Sequence, residues 1–271
     1  MKKYIYIFGM LTLSLAACKS TDEMVKETPQ LQVLEAPKPT NTALLNSVLW
    51  HQQAAEYEAL CHQAFNTAVA YLSSSKERGE DYDNKPPSII IDIDNVILDN
   101  SPYYARLIKE GIEDNINSWR DWVSQSNADL IPGAKNFIEF TKDLGAKIYF
   151  TSTRPEESSD MVINNLHMHG IDVNANNVYF SSVPGAVIEY RNEIMQKEYV
   201  DLLIGSKLSD FSTNYIDPAA PDQRKTQSSA MNSQYGQRFI ILPNLLSGEW
   251  NLDILTNPNN LDRDLDLLKT K

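Results

Sequence analysis

Pro86-Pro87-Ser88-Ile89-Ile90-Ile91-Asp92-Ile93-Asp94 is the stretch on which the fold turns. Paired prolines block a helix. The unbroken apolar run behind them has the character of a strand buried on both faces, not the alternation of a half-exposed one. Further short β-rich runs follow at 146–150, 177–180 and 200–204, and 238–242 supplies one more. Helical patterns at 134–144, 156–169 and 188–198 separate them. Strand–helix alternation of this kind predicts an α/β fold, a parallel sheet sandwiched by helices with right-handed crossovers. Upstream, Leu45, Val48, Leu49, Tyr57, Leu60, Cys61, Phe65 and Leu72 recur at helical spacing. They predict one long helix, or two broken near His51, forming a small accessory layer.

Open parallel sheets bind ligands beyond the carboxyl ends of their strands. The polar residues just after each strand are therefore the candidates: Asp92 and Asp94; Thr151, Ser152, Thr153 and Arg154; Ser181 and Ser182; Gly205, Ser206, Lys207 and Asp210. Two carboxylates two residues apart at a strand end suit a divided task. One attacks as nucleophile while the other shuttles a proton. Attack on phosphorus gives an aspartyl phosphate that water then hydrolyses. Two anions facing an anionic phosphate also call for a cation, usually Mg²⁺ held by one or two carboxylates and the phosphate oxygens.

At 271 residues the chain has room for one large core, or one core with a small lobe. Its 24 basic and 36 acidic residues give a net charge of −12, which argues against a nucleic-acid polymer as partner. A small phosphorylated substrate stays open, because a local site can be positive within an acidic protein. Two cysteines, Cys18 and Cys61, cannot scaffold a chain of this size. Cys61 lies in the apolar helical stretch and reads as a core residue.

Met1-Lys2-Lys3 is a basic start, and Tyr4 to Leu15 is an apolar segment too short to span a membrane as a mature helix. It ends in Leu15-Ala16-Ala17-Cys18, which resembles a bacterial lipobox. The resemblance implies a signal peptide over 1–17, lipidation of Cys18 and a membrane attachment through that lipid. Lys19 after the cysteine favours the outer membrane, with the protein facing the periplasm or the surface. Residues 18–41 then read as a lipidated, solvated tether, 42–255 as the folded domain and 256–271 as a polar tail.

Asp92-Ile-Asp-Asn-Val-Ile-Leu-Asp-Asn-Ser-Pro-Tyr103 resembles the first motif of the class C bacterial acid phosphatases, lipid-anchored members of the haloacid dehalogenase (HAD) superfamily. The likeness extends through 47–66, Trp119-Arg-Asp-Trp122, Ile131-Pro-Gly-Ala134 and Phe239-Ile-Ile-Leu-Pro-Asn244, in order. It implies a Rossmann-like HAD fold, with Asp92 as phosphoryl-accepting nucleophile and Asp94 as general acid/base. By the same resemblance Ser152, with Thr153 beside it, binds phosphate. Mg²⁺ is held by Asp92, the Asp94 carbonyl and the fourth motif, here Ser206 and Asp210. Tyr103, Trp119 and Trp122 are candidates for an aromatic substrate slot, or equally for the core.

The resemblance fails at two charges. The fourth motif normally opens Gly-Asp, and here it is Gly205-Ser206, whose neutral hydroxyl is a weaker ligand for a hard dication. The third-motif lysine falls on Val187, with Arg191 one turn on as a replacement that reaches the phosphate. Lys207, next to the lost aspartate, is a second replacement, its ammonium taking the space vacated by metal. Two functions are then expected: an exported phosphomonoesterase for small phosphate esters, nucleoside 5′-monophosphates among them, or a pseudo-enzyme that binds phosphorylated ligands or a partner.

Overall fold

A computed structural model describes residues 44–74, 86–183, 186–212, 221–250, 268 and 270. The expected signal peptide, Cys18, the expected tether and nearly all of the 256–271 tail lie outside the described residues. Five strands form the sheet: β1 (Ser88–Asp92), β2 (Lys147–Ser152), β3 (Val178–Phe180), β4 (Val200–Gly205) and β5 (Phe239–Ile241). All pair parallel, in the order β3-β2-β1-β4-β5. The chain steps outward from β1 to β3, then returns to the other side of β1 for β4. Between β1 and β4 the strand order therefore reverses, and that is where such a sheet opens a crevice for ligands.

The apolar run of β1 is buried on both faces, as its sequence predicts. Ile89 and Ile91 enter a large core with the helices α1 (Leu45–Gln53), α2 (Ala55–Ser73), α3 (Ser101–Glu110), α4 (Ile116–Ser124), α5 (Ala134–Asp143) and α6 (Ser159–Met168). Ile90 points to the opposite face and packs with Ile194 of α7 (Ala186–Lys197), Leu203, Phe211 and Phe239. The last α-helix among the described residues is α8 (Pro221–Ala230). Truncating an isoleucine such as Ile91 would leave a hole costing about 2–5 kcal/mol.

The N-terminal helical stretch is two helices. Ala54 adopts an extended ψ of 122°, so the break falls three residues after His51. The His51 imidazole is buried and accepts a hydrogen bond from the Leu245 backbone N–H at 3.0 Å, tying α1 to the 243–250 loop. Gln52 donates to Ser101 Oγ at 3.1 Å, tying α1 to α3. Cys61 is a buried free cysteine, in the place its apolar setting predicts. The helical pattern at 156–169 begins with a short 3₁₀ turn before α6. α3 and α4 are also present where the periodicity gave no helix. α3 begins at a local turn in which Asp99 accepts from the Ser101 backbone N–H at 2.7 Å and from its hydroxyl at 2.9 Å. α4 begins at a reciprocal cap between Asn115 and Ser118. Such short-range caps start helices that hydrophobic periodicity misses.

Candidate active site

Asp92 is the last residue of β1, and its side chain is 3% exposed. Its Oδ2 is sealed from solvent without a hydrogen-bond donor. The Lys207 ammonium stands 3.8 Å from that oxygen. Burial pushes the Asp92 carboxyl well above the ordinary range, Asp210 and Asp94 add to that as like charges, and Lys207 offsets part of it. For Lys207, burial alone favours the neutral amine, but Asp92, Asp210, Asp94 and Glu249 outweigh it and raise its pKa. The pair is ionic.

Asp94 lies one pleat further on, and its carboxylate is fully engaged. Ser152 Oγ donates to Oδ2 at 2.7 Å, while Arg154 Nε at 2.8 Å and Asn100 Nδ2 at 2.9 Å donate to Oδ1. Burial works against ionisation here too. The charge and hydrogen bonds of Arg154, with the Ser152 hydroxyl, outweigh it and hold this carboxyl below its usual range. Two carboxylates two residues apart are thus driven in opposite directions by their surroundings. Just after Asp94 the chain turns sharply. Asn95 takes a left-handed φ of 56°, a conformation asparagine tolerates because its short side chain bonds locally. Here Asn95 Oδ1 accepts from the Asn100 N–H at 3.2 Å.

Ser206 follows β4 across the crevice. Its hydroxyl donates toward the Asp94 backbone carbonyl at 3.5 Å and accepts from Asn244 Nδ2 at 3.1 Å. Asp210 does not face the crevice as an open ligand. Its Oδ2 accepts from the backbone N–H groups of Ser206 and Lys207, both at 2.9 Å, and so caps the loop on itself. A Cβ at Gly205 would collide with the Asp210 side chain, so the loop needs glycine there. Arg191 serves the same loop. Its guanidinium is buried and donates to the carbonyls of Ser209 and Asp210, so its hydrogen bonds go to the backbone of the loop. Val187 and Thr153 line a cavity of about 290 Å³ with Arg191 and Lys207.

The residues present do not make a fitting set for a divalent cation. Mg²⁺ takes oxygen ligands in near-octahedral geometry at ~2.0–2.1 Å, usually with one or two carboxylates. Asp94 and Asp210 spend their carboxylates elsewhere, and Asp92 has an ammonium beside it. The Asp94 carbonyl faces a hydroxyl whose oxygen already holds an amide donor. Among the described residues, no group of three or more His, Cys, Asp or Glu side chains is placed to hold a metal ion.

A cleft of about 390 Å³ opens over Asp94, Asn100, Trp119, Arg154 and Lys207. The expected aromatic slot divides here. Trp119 is on the cleft wall, with the Arg154 guanidinium 5.1 Å from its ring centroid. Tyr103 and Trp122 are not on that wall, and the expectation for them is corrected. Tyr103 is 1% exposed and its hydroxyl donates to Asp114 at 2.6 Å. Trp122 is buried and its indole N–H donates to Asn100 Oδ1 at 3.0 Å. Each aromatic body fills the core while its polar atom finds a buried partner. Tyr104, one residue on, lines the cleft instead.

Four contributors had no assigned role in the sequence: Arg154, Asn100, Asn244 and Glu249. Arg154 stood among the strand-end residues, and Asn100 and Asn244 lay inside the quoted motifs. Glu249 had no signal. It reaches the site from a distant loop, where Ser209 Oγ donates to it and Arg224 lies 3.6 Å away.

The chain has relatives among known proteins. Residues 7–250 match the HAD superfamily, subfamily IIIB (acid phosphatase), and the chain belongs to that family. The structure of the class C acid phosphatase from Bacillus anthracis is similar, with a TM-score of 0.73 and 28% sequence identity. That match covers 84% of this chain and 98% of the other. The crystal structure of the class C acid phosphatase from Bacillus anthracis with tungstate bound matches at 0.72 and 29% identity, with the same coverage. Phosphatases of this superfamily generally use a divalent metal, against which the charge losses at Ser206 and Val187 stand out.

Proposed function

We propose that this chain is an exported, lipid-anchored phosphomonoesterase for small phosphate esters, nucleoside 5′-monophosphates among them. The observation that carries the reading is Asp92 Oδ2, a carboxylate oxygen with no hydrogen-bond donor at the carboxyl end of the central strand. A nucleophile needs such an uncommitted lone pair. In the reaction, Asp92 Oδ2 bonds to phosphorus as the ester P–O bond breaks, and the leaving alcohol takes a proton from Asp94. Water then attacks the aspartyl phosphate, returns a proton to Asp94 and releases phosphate and free Asp92. Asp92 lines none of the three cavities around Lys207, so attack requires the ammonium to swing from Oδ2 onto the entering phosphoryl oxygens. The aromatic Trp119 on the cleft wall supports an ester with a flat base. The lipobox-like Leu15-Ala16-Ala17-Cys18 supports export and an outer-membrane anchor.

A second reading, a lipoprotein that binds phosphorylated ligands without turning them over, draws on Asp94. Arg154 holds that carboxyl ionised, which opposes its service as a proton donor. Hydrolysis of a chromogenic phosphate ester and of 5′-nucleotides by the full-length chain separates the two. Turnover that disappears in Asp92→Asn supports the enzyme. No turnover at any pH, with or without divalent metal, leaves the binding protein.

A further inference from the structure

Three carboxylates of the site have partners other than Lys207. Asp94 has Arg154, Asp210 has two backbone N–H groups of its own loop, and Glu249 has Ser209 and Arg224. Asp92 has the Ile93 backbone N–H and, 3.8 Å from its Oδ2, the Lys207 ammonium. The Lys207 side chain is 15% exposed and lines all three cavities that meet here, of about 850, 290 and 390 Å³. It is a wall residue of each of them. Of the other cations around these cavities, Arg154 and Arg191 are already spent. Arg154 is bound to Asp94 and Asn100, and Arg191 to two backbone carbonyls.

A dication in this position would meet one positive charge and two neutral hydrogen-bond donors. These are the ammonium, the Ser206 hydroxyl proton directed at the Asp94 carbonyl, and the Asn244 amide directed at the Ser206 oxygen. A compact ammonium with three rotatable donors makes no octahedral demand. It reaches a carboxylate and an oxyanion in turn by rotation about its stem.

We propose that Lys207 is the resident cation of this site, and that the protein binds the phosphate group of its ligand through the Lys207 ammonium without a divalent metal. This rests on the reading of the site as a phosphate site, and its test is chosen to fail separately. Binding of tungstate and of inorganic phosphate to the full-length chain is measured by calorimetry, after exhaustive chelation and again with excess Mg²⁺. The two affinities agree within about twofold, well under the 1.4 kcal/mol of a tenfold change. Lys207→Gln weakens both oxyanions by ~10-fold or more, and Lys207→Arg, which keeps the charge, retains most of the affinity. Ser206→Asp combined with Lys207→Asn gains Mn²⁺ binding by paramagnetic resonance and makes oxyanion binding sensitive to chelator.

A tenfold or larger loss of wild-type affinity on chelation overturns the proposal. So does unchanged oxyanion binding by a Lys207→Gln protein that unfolds like the wild type. Metal-free oxyanion binding in a chain with no esterase turnover supports the proposal and removes the enzymatic function. Turnover that stops on chelation removes the proposal and leaves the enzyme.

Discussion

Arg154 grips one oxygen of Asp94 twice, with Nε at 2.8 Å and a terminal nitrogen at 2.7 Å from the same Oδ1. Its third contact, 3.1 Å to Asn100 Oδ1, ties the same guanidinium to the start of α3. The pair is buried, with side-chain exposures of 3% and 11%. Removing one member of a buried pair strands the other, at a cost of about 3–5 kcal/mol. Arg154→Met should therefore lower the unfolding midpoint in denaturant sharply. The same change lets the Asp94 carboxyl rise toward and beyond its ordinary value. A general acid works only while protonated, so the fall of kcat/KM with rising pH should come at a higher pH in the variant. An unmoved profile would separate Asp94 from proton transfer.

The His51 imidazole gives the fold a pH dependence of its own. Burial lowers its pKa from 6.5 to about 4, so the native state binds fewer protons than the unfolded chain between those values. Its contribution is complete above pH 6.5 and drains away as pH falls toward 4. The full effect is at most about 3 kcal/mol. Equilibrium unfolding of wild type and His51→Gln across this range should show the difference between them shrinking as the pH drops. A constant difference would mean that the ring has the same pKa in the native and unfolded states.

Trp119 offers a test of the substrate that leaves the phosphate end alone. Stacking of a base on an aromatic ring is worth about 1–3 kcal/mol. Trp119→Ala should raise KM for a nucleoside 5′-monophosphate by ~5-fold or more while changing KM for a short alkyl phosphate little. Equal changes for both esters would assign Trp119 to supporting Arg154 rather than to the base.

Gly133 holds the start of α5 at a φ of 88°, with Phe65 Cδ2 only 3.0 Å from where a Cβ would stand. Alanine there meets both a left-handed backbone and a core ring. Gly133→Ala should cost about 1–2 kcal/mol for the backbone alone, read as a lower unfolding midpoint. A stability equal to wild type would show that Phe65 and the loop relax freely.

The parallel sheet was legible because β1 announces itself. Paired prolines and an unbroken apolar run admit few other readings, and the strand-end rule then places Asp92, Ser152 and Ser206 around one crevice. Residue type alone did not say which partners those side chains would choose. Ser152 is a strand-end hydroxyl in either case, yet its proton goes to Asp94. Asp210 matches an acid of the fourth motif and spends its Oδ2 on two N–H groups. Tyr103 and Trp122 fall in the stretches where a substrate slot was expected, and only the packing of α3 and α4 decides that they face inward. Glu249 was out of reach of any local pattern, because the 243–250 loop is placed by contacts as distant in sequence as His51.

The collision between a Cβ at residue 205 and the Asp210 side chain bears on how this loop tolerates change. The two positions are not independent variables. A larger residue at 205 becomes admissible only once 210 has shrunk, and a shortened 210 unties the N–H groups on which the placement of Lys207 depends. Substitution along either axis alone meets a barrier, so the loop geometry is insulated from drift even when the chemistry it carries is exchanged. A loop built this way keeps its shape whatever groups its neighbouring positions carry, the hydroxyl of Ser206 and the ammonium of Lys207 among them.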